Sequence, residues 1–217
     1  MELLEEYASR AFPEEAKEGE GKNEGTGSSP SYRSEARHVV RRRGTAQSHV
    51  LMGCPAYDLF DRRRLGLSLL ANILGGNGMN ARLNMELREK RGLVYHVECS
   101  YTPYTDSGLF SIYFGSSHRA EAEAVELVYR ELERLAKEPL TEAELTAALR
   151  QTRGQLLVAS DNKEQHFLTM GKSFLHTGRF DTDEELSERL STLTPEGLYE
   201  TARELFQRAN FHTLIYR

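Results

Sequence analysis

The sequence predicts an α+β fold, a largely antiparallel sheet with helices packed on one face. Three observations predict it. Period-two stretches occur early in the chain and again between Tyr95 and Phe114. Helical spacing fills the interval between them and most of the chain after Ser116, and a single strand closes the sequence. Strict alternation of strands and helices is absent, which argues against a doubly wound fold.

The elements follow in order. Residues 2–12 hold Leu3, Leu4, Tyr7 and Ala11 at helical spacing, and residues 14–30 then carry Ala16 as their only hydrophobic side chain among Glu, Gly and Ser. Such a stretch cannot bury enough surface to offset its ordering entropy. Residues 1–31 are therefore expected to be a helical tail and a flexible acidic linker, ahead of one domain over residues 32–217. Residues 38–43 and 46–52 read as two strands around the turn at Gly44, with Val39, Val40, Val50 and Leu51 supplying β-formers. Leu65, Leu69, Leu70, Ile73 and Leu74 mark an amphipathic helix stopped by Gly75 and Gly76. A second helix is expected over residues 79–90, ending at Gly92. Tyr95, Val97, Cys99 and Tyr101 alternate as a strand, as do Phe110, Ile112 and Phe114, with Asp106, Ser107 and Gly108 turning the hairpin.

Beyond Ser116 the pattern is mostly helical. Val125, Val128, Leu132 and Leu135 share a face. Thr141 with Glu144 forms a capping box before Leu145, Leu149 and Leu156. Phe167, Met170 and Phe174 suggest another helical face; Asp181 with Glu184, and Thr194 with Pro195, mark two more helix starts. Residues 211–216 form the last strand.

Composition narrows the function. The 217 residues carry 28 Lys plus Arg against 33 Asp plus Glu, a net charge of −5 that disfavours a general nucleic-acid binder. No stretch approaches ~20 consecutive apolar residues, so no transmembrane helix is expected. Two cysteines, Cys54 and Cys99, cannot build a disulfide framework or a four-Cys zinc site. No secretory signal is visible at the start, and localisation stays open between cytoplasm and export.

Most catalytic signatures are missing. The seven histidines include no HExxH or HxxEH and no i, i+4 pair, so no metal site is expected in this chain. Gly76, Gly78 and Ala81 match GxGxxA, but a helix precedes them where dinucleotide binding needs a strand. The basic triplets at 41–43 and 62–64 lack neighbouring stacking aromatics. There is no GxSxG elbow, and Cys99 falls on the apolar side of its strand. One segment stands apart: Leu87-Arg88-Glu89-Lys90-Arg91-Gly92-Leu93-Val94-Tyr95, where a helix ends, a glycine reverses the chain and a strand begins. Arg88 and Tyr95 can there converge as donors to a carbonyl oxygen or the oxyanion formed when water attacks it. The plainer account also stands: cations offset a helix C-terminus, and Tyr is a good strand former.

The run Ser48-His49-Val50-Leu51-Met52-Gly53 with Pro55-Ala56-Tyr57, then Ile73-Leu74-Gly75-Gly76, Met79, Arg82-Leu83 and residues 88–95, resembles the pitrilysin and mitochondrial-processing-peptidase family of zinc metallopeptidases. The resemblance spans about residues 36–217 and is most specific over 74–95. Asn80 and Ala81 stand where relatives often carry two serines, which leaves the subfamily open. The resemblance implies one of two paired α+β halves that close like a clamshell around a peptide. One half of such an enzyme carries zinc on HxxEH. The other supplies an Arg and a Tyr, here Arg88 and Tyr95, to hold the substrate near that zinc. This chain resembles the second kind, a protease substrate-binding half with no metal or catalytic residue of its own, expected to be inactive alone. Zinc is then expected in an HxxEH-bearing partner half, and the other implied partner is the peptide substrate. The alternative is a non-catalytic scaffold or binding subunit of the same fold.

Overall fold

Alternating burial builds the sheet. The computed structural model describes residues 36–217, so the tail and linker expected over 1–31 lie outside the described residues. The strands are β1 (His38–Arg41), β2 (Ser48–Ala56), β3 (Val94–Pro103), β4 (Gly108–Ser116) and β5 (His212–Tyr216), ordered β1-β5-β2-β4-β3. Along β2, Val50, Met52, Cys54 and Ala56 are buried while Leu51 between them is exposed, and Phe110, Ile112 and Phe114 of β4 take the same inner side. Among the described strands only β1 and β5 pair in parallel; β5–β2, β2–β4 and β4–β3 are antiparallel. The α+β class and the largely antiparallel sheet thus hold.

The strands on either side of Gly44 are not neighbours. β5 lies between them, paired with β1 from His38↔Thr213 to Arg41↔Tyr216 and with β2 from His49↔Tyr216 to Gly53↔His212. Gly44, at φ 67°, turns the chain, and Arg43 N donates to the carbonyl of Arg217 at 2.6 Å instead of to β2. β2 also runs on past Met52 to Ala56. Its Pro55 sits beyond the end of the β5 pairing, where β2 has a neighbour on one side only and a missing N–H is tolerated.

The helices are α1 (Arg64–Gly75), α2 (Glu121–Lys137), α3 (Glu142–Ser160), α4 (Lys163–Thr177), α5 (Asp183–Ser191) and α6 (Pro195–Leu205). α1, α2 and α6 close the core under the sheet, with Leu67, Leu70, Leu74, Val128, Leu132 and Ala202 against Phe110, Ile112 and Phe114. Both capping residues expected at 141 and 194 are in place. Thr141 and Glu144 form a reciprocal box, and Thr194 accepts from Gly197 N ahead of Pro195. The start expected at Asp181 falls one residue later: Thr182 caps α5 in a box with Glu185, because Asp181 is drawn instead into an ion pair with Arg189.

The helix expected over residues 79–90 is also corrected. After a short helical lead-in, residues Asn84–Glu89 wind as a π-helix, with Lys90 N donating to Met85 O five residues back at 3.0 Å. Leu83 and Leu87 are buried there, and the side chain of Asn84 donates to the Met79 carbonyl at 2.9 Å. The face expected from Phe167, Met170 and Phe174 forms a helix, α4, yet none of its residues is buried and Phe167 is 74% exposed.

Candidate functional site

Two local irregularities shape the Arg88–Tyr95 segment. Arg88 is the penultimate residue of the π-helix. Gly92 then adopts φ 62°, a left-handed conformation that costs glycine little. Its N–H donates to Arg88 O at 2.9 Å, and Leu93 N donates to Leu87 O at 2.8 Å, closing the reversal before buried Val94 opens β3. In the β3–β4 ladder Val94 pairs with Ser116 and His96 with Gly115, so Tyr95 is the extra residue of a β-bulge.

The bulge decides where Tyr95 points. Val97 faces the core, and unbroken alternation would put Tyr95 on that inner side. With one residue inserted, Tyr95 and His96 are both exposed, Tyr95 at 69%. Its hydroxyl has no hydrogen-bond partner among the described residues.

The charges nearby leave Arg88 available. Glu86 is engaged by Lys90 and lies 3.8 Å from Arg91, and the Lys90 hydrogen bond holds its carboxyl below the usual value. Arg88 keeps only a long contact to Glu89, 3.8 Å from its Nε, and is about half-exposed. No hydrogen bond joins Arg88 to Tyr95 among the described residues.

The open side of the sheet carries polar groups beside Tyr95 that the histidine spacing does not flag. His49 Nδ1 and the Tyr113 hydroxyl are 2.8 Å apart, and His96 Nε2 lies 3.4 Å from Glu98. His49 and His96 both pair with Gly115 across three strands, so their convergence requires the sheet order. A trough of about 900 Å³ crosses the other part of this face, lined by Arg37, Arg41, Leu51, Leu109, Leu214 and Tyr216. Neither Arg88 nor Tyr95 lines it.

Other candidate chemistry is closed off by packing. Ser48 Oγ lies 2.9 Å from His118 Nδ1, but it is fully buried and donates to Glu121, which makes it a clasp and not a nucleophile. Burial pushes Cys54 up to about 12 and Cys99 higher still, so neither is a thiolate near neutrality. The Gly76–Gly78 turn packs against α3, where Asn80 Nδ2 donates to Gln151 Oε1 at 2.7 Å and a Cβ on Gly78 would meet the same side chain. Among the described residues, no group of three or more His, Cys, Asp or Glu is placed to hold a metal ion, so these residues do not fit a zinc site. No helix among them is long and apolar enough to cross a membrane.

The family model described as the peptidase M16 inactive domain matches residues 2–152. The chain belongs to the peptidase M16 family. It matches the C-terminal, inactive half of these proteins. An uncharacterized zinc protease of Streptomyces coelicolor is 32% identical over 166 residues, which is 76% of this chain and 36% of that protein. The zinc protease YmxG of Bacillus subtilis is 29% identical over 188 residues, 86% of this chain and 45% of that protein. The chain thus spans less than half the length of these curated relatives. Among solved structures, a peptidase M16 inactive domain from Pseudomonas fluorescens superposes with TM-score 0.74 at 24% identity, covering 84% of this chain and 44% of that one. A protease from Helicobacter pylori gives 0.75 at 20% identity, with the same coverage. Both share the fold of this M16 domain. As zinc proteases, M16 relatives imply zinc in a catalytic half.

Proposed function

We propose that this chain is the substrate-binding, non-zinc half of a clamshell zinc metallopeptidase that hydrolyses peptides, with Arg88 and Tyr95 holding the substrate. The zinc and its general-base Glu would come from an HxxEH-bearing partner half, in the same polypeptide or as a separate subunit. One observation carries the reading. A π-helix and a β-bulge, on either side of the Gly92 reversal, leave exposed a phenol and a guanidinium whose only counter-charge among the described residues is Glu89 at 3.8 Å. Irregularities of both kinds recur where a functional side chain is re-aimed.

The chemistry asked of these groups is simple. Arg88 is charged at any working pH, and Tyr95 is a neutral donor, so neither needs a tuned protonation state. Each can donate to a peptide carbonyl oxygen, and more strongly to the oxyanion that develops when that carbon is attacked.

The test is peptide cleavage by the assembled enzyme. Arg88→Ala and Tyr95→Phe should each lower kcat/KM by about 10²–10³, the usual loss for one oxyanion donor. The melting temperature of this domain should stay put, since both side chains are exposed. Unchanged turnover in both variants would sink the assignment and leave the non-catalytic scaffold of the same fold.

A further inference from the structure

A cavity of about 680 Å³ lies between the β2–α1 loop and the end of α4, and it shares no lining residue with the open sheet trough. Its walls carry Arg62, Arg64, Arg179, Arg189 and His176 against two carboxylates, Asp61 and Asp181. Both acids are engaged already. Asp61 takes Arg63 through Nε at 3.1 Å and the terminal nitrogen at 2.7 Å, and Asp181 takes Arg189. Arg62, Arg64 and Arg179 have no ion-pair partner among the described residues.

The crowding is costly for Arg64. Burial first, and then the like charge of Arg189, hold its pKa below the ordinary guanidinium value; Asp181 offsets part of this and Arg179 adds to it. The Arg179 backbone is held in place. Gly178 ends α4 at φ 71°, and the Arg179 carbonyl accepts from the hydroxyls of Ser173 at 3.1 Å and Thr177 at 2.7 Å. Clustered guanidinium groups without an ion-pair partner suit phosphate oxygens, which accept two parallel N–H bonds from each fork. A bound anion would also relieve the repulsion between the arginines.

We propose that this cavity binds a compact phosphate-bearing polyanion, gripped by Arg64 and Arg179 with Arg62 at its exposed rim. Leu59 and Phe60 give the site one apolar wall, so a small organic group can accompany the phosphates.

Calorimetric titration of the full chain with pyrophosphate at constant ionic strength tests this. Saturable binding at one site is expected, and citrate, equally anionic but carboxylate-based, should bind more weakly. R64Q and R179Q should each weaken pyrophosphate by about 10- to 100-fold, as for a lost charge-assisted hydrogen bond. R41Q, in the sheet trough, should keep the wild-type affinity. Arg179 is exposed, so R179Q should keep the wild-type Tm and its binding loss would not reflect unfolding. Three results would each overturn the proposal: no saturable heat at millimolar pyrophosphate, R179Q binding like wild type, or citrate binding as tightly as pyrophosphate.

Discussion

Glu131 on α2 offers a sharp test of the electrostatics beneath the π-helix. It is buried, and its Oε2 has no hydrogen-bond partner among the described residues. Burial raises its pKa, against the opposing pull of Arg134 and Arg82. Those attractions are weak because nearby charges are spoken for: Arg82 pairs with Glu144 at 2.9 Å, and Lys90 pairs with Glu86. A carboxylate whose folded pKa lies above its unfolded value favours folding while protonated and costs stability as pH rises past the unfolded pKa. Glu131→Gln removes the charge and keeps the shape. Burying an ionised carboxylate costs more than burying its neutral amide, and the lost attraction to Arg134 and Arg82 trims the net gain to about 1 kcal/mol. For a domain of this size that is a Tm increase of about 2–4 °C at pH 7. At pH 4, where wild-type Glu131 is protonated, the difference should close. Thermal unfolding followed by circular dichroism at both pH values measures it. A variant less stable than wild type at pH 7, or a gain that is the same at both pH values, would refute the reasoning.

Two further substitutions probe packing. Gly75→Ala would place a Cβ 2.6 Å from Cys99 Sγ and 2.7 Å from Cys99 N, so α1 must move away from β3; a loss of about 1–3 kcal/mol in urea unfolding is expected. An unchanged midpoint would mean that the contact is not tight. Phe110→Ala empties a fully buried ring site 4.9 Å from Phe206 and 6.2 Å from Phe211. It should cost about 3–5 kcal/mol, lowering Tm by roughly 10 °C, and a fall of only a degree or two would contradict the assigned core.

Local signals were legible wherever a few neighbouring residues decide the outcome. The Thr141–Glu144 box, Thr194 before Pro195, and the Asp106–Gly108 turn each act within one turn of chain, and each formed as expected. The Asp181 start missed by one residue because a distant Arg189 competed for that carboxylate. Insertion of β5 between β1 and β2 depends on residues at the far end of the chain, which no local pattern reports. At the candidate site the identities of Arg88 and Tyr95 were readable, but their presentation was not. The π-winding and the bulge arise from how Leu83, Leu87 and Val94 pack and how Ser116 and Gly115 pair, so the side on which Tyr95 lies is set by tertiary structure. Phe167 shows the reverse case: helical spacing was right, but periodicity says that a face is apolar without saying what covers it.

The central placement of β5 bears on how the chain is made. Its pairing with β1 joins His38 to Thr213, so its five residues are synthesised long after β1 and β2. Until they emerge, β1 has no partner strand among the described residues, and β2 presents a bare row of N–H and C=O groups to any passing chain. The sheet therefore completes late in folding, because so long a loop must close first. A truncation that removes β5 would take away the strand that joins β1 to the rest of the sheet, leaving a product prone to aggregate.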